Sequence, residues 1–164
     1  MKDKSSRLSN IKKQIHQLQF TIVEEDLERP WGGFFRIDDA DTLQFIQQFF
    51  PELKDTLSHS AHKLSPKILC VQPHKQLSWQ YHHRRAEIWK LVKGKAAYKL
   101  SKHDDEGELN ILELGEVLVI GKGERHRLIG LNEWGIIAEI WQHTDPNHPS
   151  DEDDIIRLQD DFGR

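Results

Sequence analysis

A chain of 164 residues, 37% hydrophobic and 30% charged, can bury one sizeable core and suits a single soluble domain. Its net charge of −4 gives no general attraction to nucleic acid, and its single cysteine, Cys70, excludes an internal disulfide and fits a reducing cytoplasm. The opening MKDKSSRLSNIKKQIHQLQF has no signal-like apolar stretch and no later run reaches bilayer length, so neither a membrane nor a nucleic acid is an expected partner.

The first segment reads as helix. Leu8, Ile11, Ile15 and Leu18 recur at helical spacing with lysines opposite, and residues 1–28 are taken as a helical N-terminal extension. RPWGGFF breaks the pattern at Arg29–Phe35, where Gly32 and Gly33 permit a sharp bend. Asp41 is placed to cap a helix carrying Leu43, Phe45, Ile46, Phe49 and Phe50, which Pro51 ends or follows with a second short helix. With the polar KDTLSHSAHKLSP loop, this forms a helical insert over 38–66.

The period then changes. KILCVQP, LSWQYHH, AEIWKLVKG, AAYKLS, ELNILEL, EVLVIG, RHRLIG and GIIAEIWQ are short aliphatic and aromatic runs separated by Gly, Pro, Asn, Asp or charged clusters. They predict an antiparallel, mainly β sandwich or barrel over 67–142. An acidic, turn-like DPNHPSDEDD opens the C-terminal segment, 143–164.

QYHHRRAEIW concentrates ligand-capable and basic groups in a strand. Residues two apart share a strand face, so Gln80 and His82 point the same way. Glu87 follows a bend, and GKGERHRL supplies His126. One amide, two imidazoles and one carboxylate suit zinc or another divalent first-row metal and not a structural thiolate site. The competing reading makes the histidines ordinary hydrogen-bonded residues and pairs Glu87 with Arg84 or Arg85.

These residues resemble the cupin superfamily. At the spacings of its first motif, G-x5-H-x-H-x4-E-x6-G, stand His74, Gln80, His82, Glu87 and Gly94, with the first glycine and first histidine replaced, and at those of its second stand Gly115, Gly121, Gly123, His126 and Gly130, keeping Gly115, Gly123 and the histidine. LSWQYHHRRAEIW, ERHRL, RPWGGF and EDDIIRLQDDFGR resemble, more narrowly, the signature segments of type II phosphomannose isomerases, in the same order from Arg29 to Arg164. The chain departs from that family in its helical insert, in Gln72 and His74 where the family usually has Lys and Gly, in Gly121 and Gly130 in place of Pro and Asn, and in Phe162 in place of Tyr. The nucleotidyltransferase domain often fused to such a module is not in the sequence, so sugar-nucleotide synthesis is not expected.

The resemblance implies a jelly-roll barrel and an aldose–ketose isomerase acting on a sugar phosphate, mannose 6-phosphate with fructose 6-phosphate, through a cis-enediol. It implies a divalent ion (Zn, Mn, Co, Ni or Mg) on Gln80, His82, Glu87 and His126. Arg85 would hold a substrate oxygen or developing charge, unless it is an ion-pair partner of Glu87, and the base would be Glu87, His83 or a metal-bound hydroxide. Arg29, Arg127 and Arg164 are the candidate phosphate contacts, Arg164 being as readily a solvent-exposed residue. Arg157, with its acidic neighbours, reads as a structural pair with Asp153 or Asp160. Trp31 is expected to plug the barrel rather than stack on a sugar, and Trp89 to pack behind the metal. The partner is a small sugar phosphate, with a homodimer expected. Two rivals remain: a non-catalytic sugar-phosphate-binding cupin and an iron-dependent cupin oxygenase.

Overall fold

The structure is a computed structural model that describes residues 3–163, so Arg164 lies outside the described residues. Helix α1 (Lys4–Gln17) begins where Asp3 accepts a hydrogen bond from the Ser6 N–H at 2.8 Å. Leu8, Ile11 and Ile15 form its buried stripe. The helix stops at Leu18, and Gln19 takes a left-handed φ of 66°. The helical extension expected to residue 28 is therefore shorter. Residues beyond it form strand β1 (Ile22–Asp26), because their backbone groups pair antiparallel with strand β2 (Gly32–Ile37).

RPWGGFF is thus the entry to a strand. A Cβ on Gly32 would lie 1.9 Å from the Cys70 carbonyl oxygen, so only glycine lets β2 pair with strand β3 (Lys63–Val71) in this register. Between β2 and β3 lie helices α2 (Thr42–Phe49) and α3 (Lys54–Ser58), joined by a 3₁₀ turn that Pro51 opens. Asp41 does not cap α2; its carboxylate accepts from the Thr21 N–H at 2.8 Å and ties the insert to the chain before β1. Leu43 is 67% exposed, while Phe45, Ile46 and Phe50 are buried.

The remaining strands are β4 (Trp79–Tyr81), β5 (Arg85–Ser101), β6 (Asn110–Leu112), β7 (Val117–Ile120), β8 (Arg125–His143) and β9 (Ile156–Gln159). They join one nine-stranded sheet in the order β1-β2-β3-β8-β4-β9, with β5 pairing β6, β7 and β8. Two pairs of runs read as separate strands are each continuous. AEIWKLVKG and AAYKLS are one bent strand, β5. Gly94 (φ 81°) sits between two register shifts, where any Cβ would meet the Trp134 carbonyl oxygen at 1.8 Å. RHRLIG and GIIAEIWQ likewise merge into β8. The sheet extends past the expected 67–142 limits, since β1, β2 and β9 belong to it.

Strands β2, β3 and β8 are buried on both faces. Phe35, Ile37, Ile68, Cys70, Ile136, Ala138 and Ile140 pack under α1 and α2. The alternate residues Phe34, Leu69, Val71 and Ile137 face inward, among Trp89, Leu91, Leu118, Ile120 and Leu128. Strand alternation thus separates a helix-covered core from a curled interior. The interior is where the ligand-capable residues converge.

Candidate metal centre

His126 lies on β8 directly opposite Gln80 of β4, and His82 and Glu87 flank the short turn between β4 and β5. All four side chains are buried. The His82 Nε2 stands 3.3 Å from His126 Nε2 and 3.2 Å from Glu87 Oε1, and His126 Nε2 is 3.5 Å from Glu87 Oε2. These spacings match what a cation needs: bonds of about 2.0–2.2 Å put neighbouring ligand atoms roughly 3.0–3.5 Å apart.

The tautomers fit too. His82 Nδ1 donates to the Asp154 carbonyl at 2.6 Å, and His126 Nδ1 to the Glu124 carbonyl at 2.9 Å. A carbonyl cannot donate, so both Nδ1 atoms carry the protons and both Nε2 lone pairs aim at the shared point. Two lone pairs and a carboxylate converging there call for a positive centre. Burial lowers His126 to about 4, against the pull of Glu87, so its imidazole is neutral and available as a ligand. Burial raises Glu87, but the charge of Arg85, with the two histidines, overrides it and holds the carboxyl well below the usual range.

Gln80 joins this group differently from expectation. Its side-chain nitrogen faces the cluster, 3.5 Å from His82 Nε2, while its oxygen accepts from the Ser78 hydroxyl at 2.5 Å. Rotating the amide by half a turn would present the oxygen as a fourth ligand and let the nitrogen donate to Ser78.

Arg85 makes the ion pair with Glu87 that is one of its two expected readings. Its Nε donates to Glu87 Oε1 at 2.8 Å, Nη2 lies 3.2 Å from His82 Nε2, and the guanidinium stacks 3.6 Å over Trp141. Ser150 Oγ and the Asp151 carbonyl each accept from Nη1 at 3.0 Å. The planar fork is fixed at the edge of the ligand cluster, facing the cavity. Arg84 points away, toward Asp151 and Asp154.

Two other expectations meet a different geometry. His83 is exposed, with its ring edge-on to Tyr81, because strand alternation turns it out as it turns His82 in. It does not line the cavity. Arg127 is buried and spent on structure: Nε donates to the Leu77 carbonyl, and its Nη atoms meet Glu106 and Gln159. It does not line the cavity that Arg29 and Arg157 line. Arg29 stays near Asp26, at 3.0 Å, and 5.5 Å from the Phe34 ring. Trp31 is buried and walls the same cavity, and Trp89 packs edge-on behind His126 at 5.6 Å.

Sequence reasoning missed several residues. Asp154 braces the ligand turn, its carboxylate accepting from the His83 and Arg84 N–H groups and from Ser150 Oγ. Glu139 accepts from both indoles, Trp89 at 2.6 Å and Trp141 at 2.9 Å. Burial and the nearby Glu87 charge raise it to about 8, against Lys67 and Arg85. Lys67 is a buried cation on the cavity wall. The only warning in the sequence was charge at inward positions of hydrophobic strands.

The Mannose-6-phosphate isomerase C-terminal family matches residues 49–160. A mannose-1-phosphate guanylyltransferase of Escherichia coli (strain K12) is 26% identical over 162 residues, 96% of this chain and 28% of that protein. The xanthan biosynthesis protein XanB of Xanthomonas campestris pv. campestris (strain B100) is 27% identical over 163 residues, 96% of this chain and 29% of that protein. This chain therefore spans less than a third of the length of these relatives. Among solved structures, a mutant of Bacillus subtilis oxalate decarboxylase OxdC aligns with TM-score 0.56 at 12% identity, over 82% of this chain and 30% of that one. The capsular polysaccharide assembling protein CapF of Staphylococcus aureus aligns with TM-score 0.53 at 16% identity, over 83% and 34%. At such identities these two speak to the fold alone, which is that of the cupins. On the extent of the family match, the chain belongs to the Mannose-6-phosphate isomerase C-terminal family of cupin domains.

Proposed function

We propose that the chain is a metal-dependent sugar-phosphate isomerase that interconverts mannose 6-phosphate and fructose 6-phosphate. The observation that carries this reading is the convergence of His82, Glu87 and His126, within 4.8 Å of one another, beside a cavity that Glu87 lines together with Arg29, Lys67, Arg85 and Arg157. Cations at the wall suit an anionic substrate, and the ligand cluster suits carbonyl chemistry. His82, Glu87 and His126 would hold the divalent ion, with Gln80 as a fourth ligand. The ion would supply Lewis-acid polarisation of the substrate carbonyl.

The protein's own groups do the rest. Arg85 presents a locked guanidinium beside the ligand cluster, where it holds a substrate oxygen and balances charge gained in the reaction. Glu139 lines the cavity outside the ligand set and is assigned the proton moved between the first two sugar carbons. Its carboxylate is aimed by the two indole N–H groups. Trp31 and Phe34 wall the cavity and limit water.

A second reading has one observation in its favour. Two histidines and one carboxylate are also the ligand set of non-haem Fe(II) oxygenases. One experiment separates the readings. The chain is loaded in turn with Zn, Mn, Co, Ni, Mg and Fe(II), and both aldose–ketose turnover and oxygen consumption are followed. Isomerisation of mannose 6-phosphate without oxygen uptake is the expected result. Oxygen uptake with Fe(II) selects the oxygenase. Sugar-phosphate binding with no turnover on any metal selects a non-catalytic binding domain.

A further inference from the structure

Lys67 is out of place on β3. Its side chain is buried, and among the described residues its ion pair is to Glu152, Nζ to Oε1 at 2.6 Å. The ammonium stands 3.9 Å from the Phe34 ring centroid and 4.7 Å from that of Trp141. Aromatic faces hold a cation in place without neutralising it. A buried ammonium needs an anion, and Glu152 is a loose one. Its side chain is 36% exposed and stands on the turn between Asp151 and Asp154. Returning such a carboxylate to water costs little.

The same segment narrows the cavity. The open space is about 60 Å³, with Glu152 and Ile155 in its wall. Small-molecule sites are commonly roughly 300–1,000 Å³. Whatever displaces Glu152 also widens the cavity.

We propose that Lys67 is the seat of the substrate's phosphate, and that Glu152 is a tethered anion that occupies this seat until the phosphate displaces it. The inference rests on the sugar-phosphate reading above. A phosphate monoester brings more charge and more acceptor oxygens than a carboxylate, so it wins the exchange. Arg29 and Arg157, on the same cavity wall, complete the anion's surroundings.

The test is calorimetric titration of the whole chain with mannose 6-phosphate and, separately, with inorganic phosphate. Glu152→Gln removes the competitor's charge and should tighten both ligands about three- to tenfold. Lys67→Met should weaken both by at least about tenfold, and Lys67→Arg should retain binding. In the double variant, Glu152→Gln should no longer tighten anything. The idea is overturned if Glu152→Gln binds no tighter than the parent, if Lys67→Met keeps the parent affinity, or if no variant binds either ligand. Circular dichroism checks the fold of each variant, and if Lys67→Met does not fold, Glu152→Gln decides alone. Phosphate binding with this pattern but no turnover supports the seat and sinks the isomerase reading. Turnover with phosphate affinity unmoved in every variant keeps the isomerase and overturns the seat.

Discussion

The two faces of strands β2, β3 and β8 bury side chains equally well and in opposite styles. The helix-covered face is hydrocarbon throughout, from Leu8 and Ile15 to Phe45 and Ile140. The inner face begins as hydrocarbon, at Phe34 and Leu69, and carries Lys67, Glu139 and His126, which meet Arg85 and Glu87 of β5 and His82 beside it, each at most 6% exposed. Hydrocarbon stabilises by leaving water and needs only shape. Buried charge is costly unless every group has a partner, and here His82, Glu87 and His126 cluster beside Arg85 while Lys67 pairs with Glu152. The outer face is built for stability, and the inner face is the one on which the proposed function rests.

The comparison breaks first on function. Glu87→Ala and His126→Ala should abolish isomerisation, measured by coupled assay on the metal-loaded chain, while circular dichroism shows the fold retained. Phe45→Ala should do the reverse: lose about 3–5 kcal/mol in denaturant melts and keep its metal uptake. If Phe45→Ala abolished metal uptake in chains that remain folded, the two faces would not be separate.

Smaller effects sharpen the picture. Arg85→Lys keeps the charge and loses the fork, so turnover should fall on the order of tenfold or more with metal content intact. An equal turnover would make Arg85 a structural ion-pair partner of Glu87. The metal-stripped chain should also show His126 in its pH dependence. In the folded chain His126 titrates at about 4, below its ordinary 6.5. Between those values the unfolded chain binds more protons, so this contribution is complete above pH 6.5 and is lost as pH falls toward 4. The stability difference between the parent and His126→Gln should therefore grow from pH 4 to 6.5, by on the order of 3 kcal/mol. A flat difference would mean that His126 is not held neutral. The smallest effect is at His74, which takes a φ of 60°, in the left-handed region that favours glycine. His74→Gly should gain about 0.5–1 kcal/mol, read as a raised melting temperature.

The helix-covered face was the more legible in sequence. The period at Leu8, Ile11 and Ile15, and the Phe-rich insert, are local signals that packing then used. The buried cluster was legible as well, since alternation alone puts Gln80 and His82 on one face and His83 on the other. What stayed hidden depended on contacts distant in sequence. Lys67 and Glu152 are 85 residues apart, and His82 and Asp154 are 72 apart. DPNHPSDEDD reads as a solvated acidic turn, although Asp154 is buried beneath the ligand turn. Gly94 reads as a strand end because the sequence does not show that a bulged strand can bend and continue.

The most direct test is to titrate the metal-stripped whole chain with Zn and with Mn, and to count the bound ions by elemental analysis. The account predicts one tightly bound divalent ion per chain, lost together in Glu87→Ala, His82→Ala and His126→Ala and retained in His83→Ala. No bound ion in the parent, or an undiminished one in the three ligand variants, would contradict it.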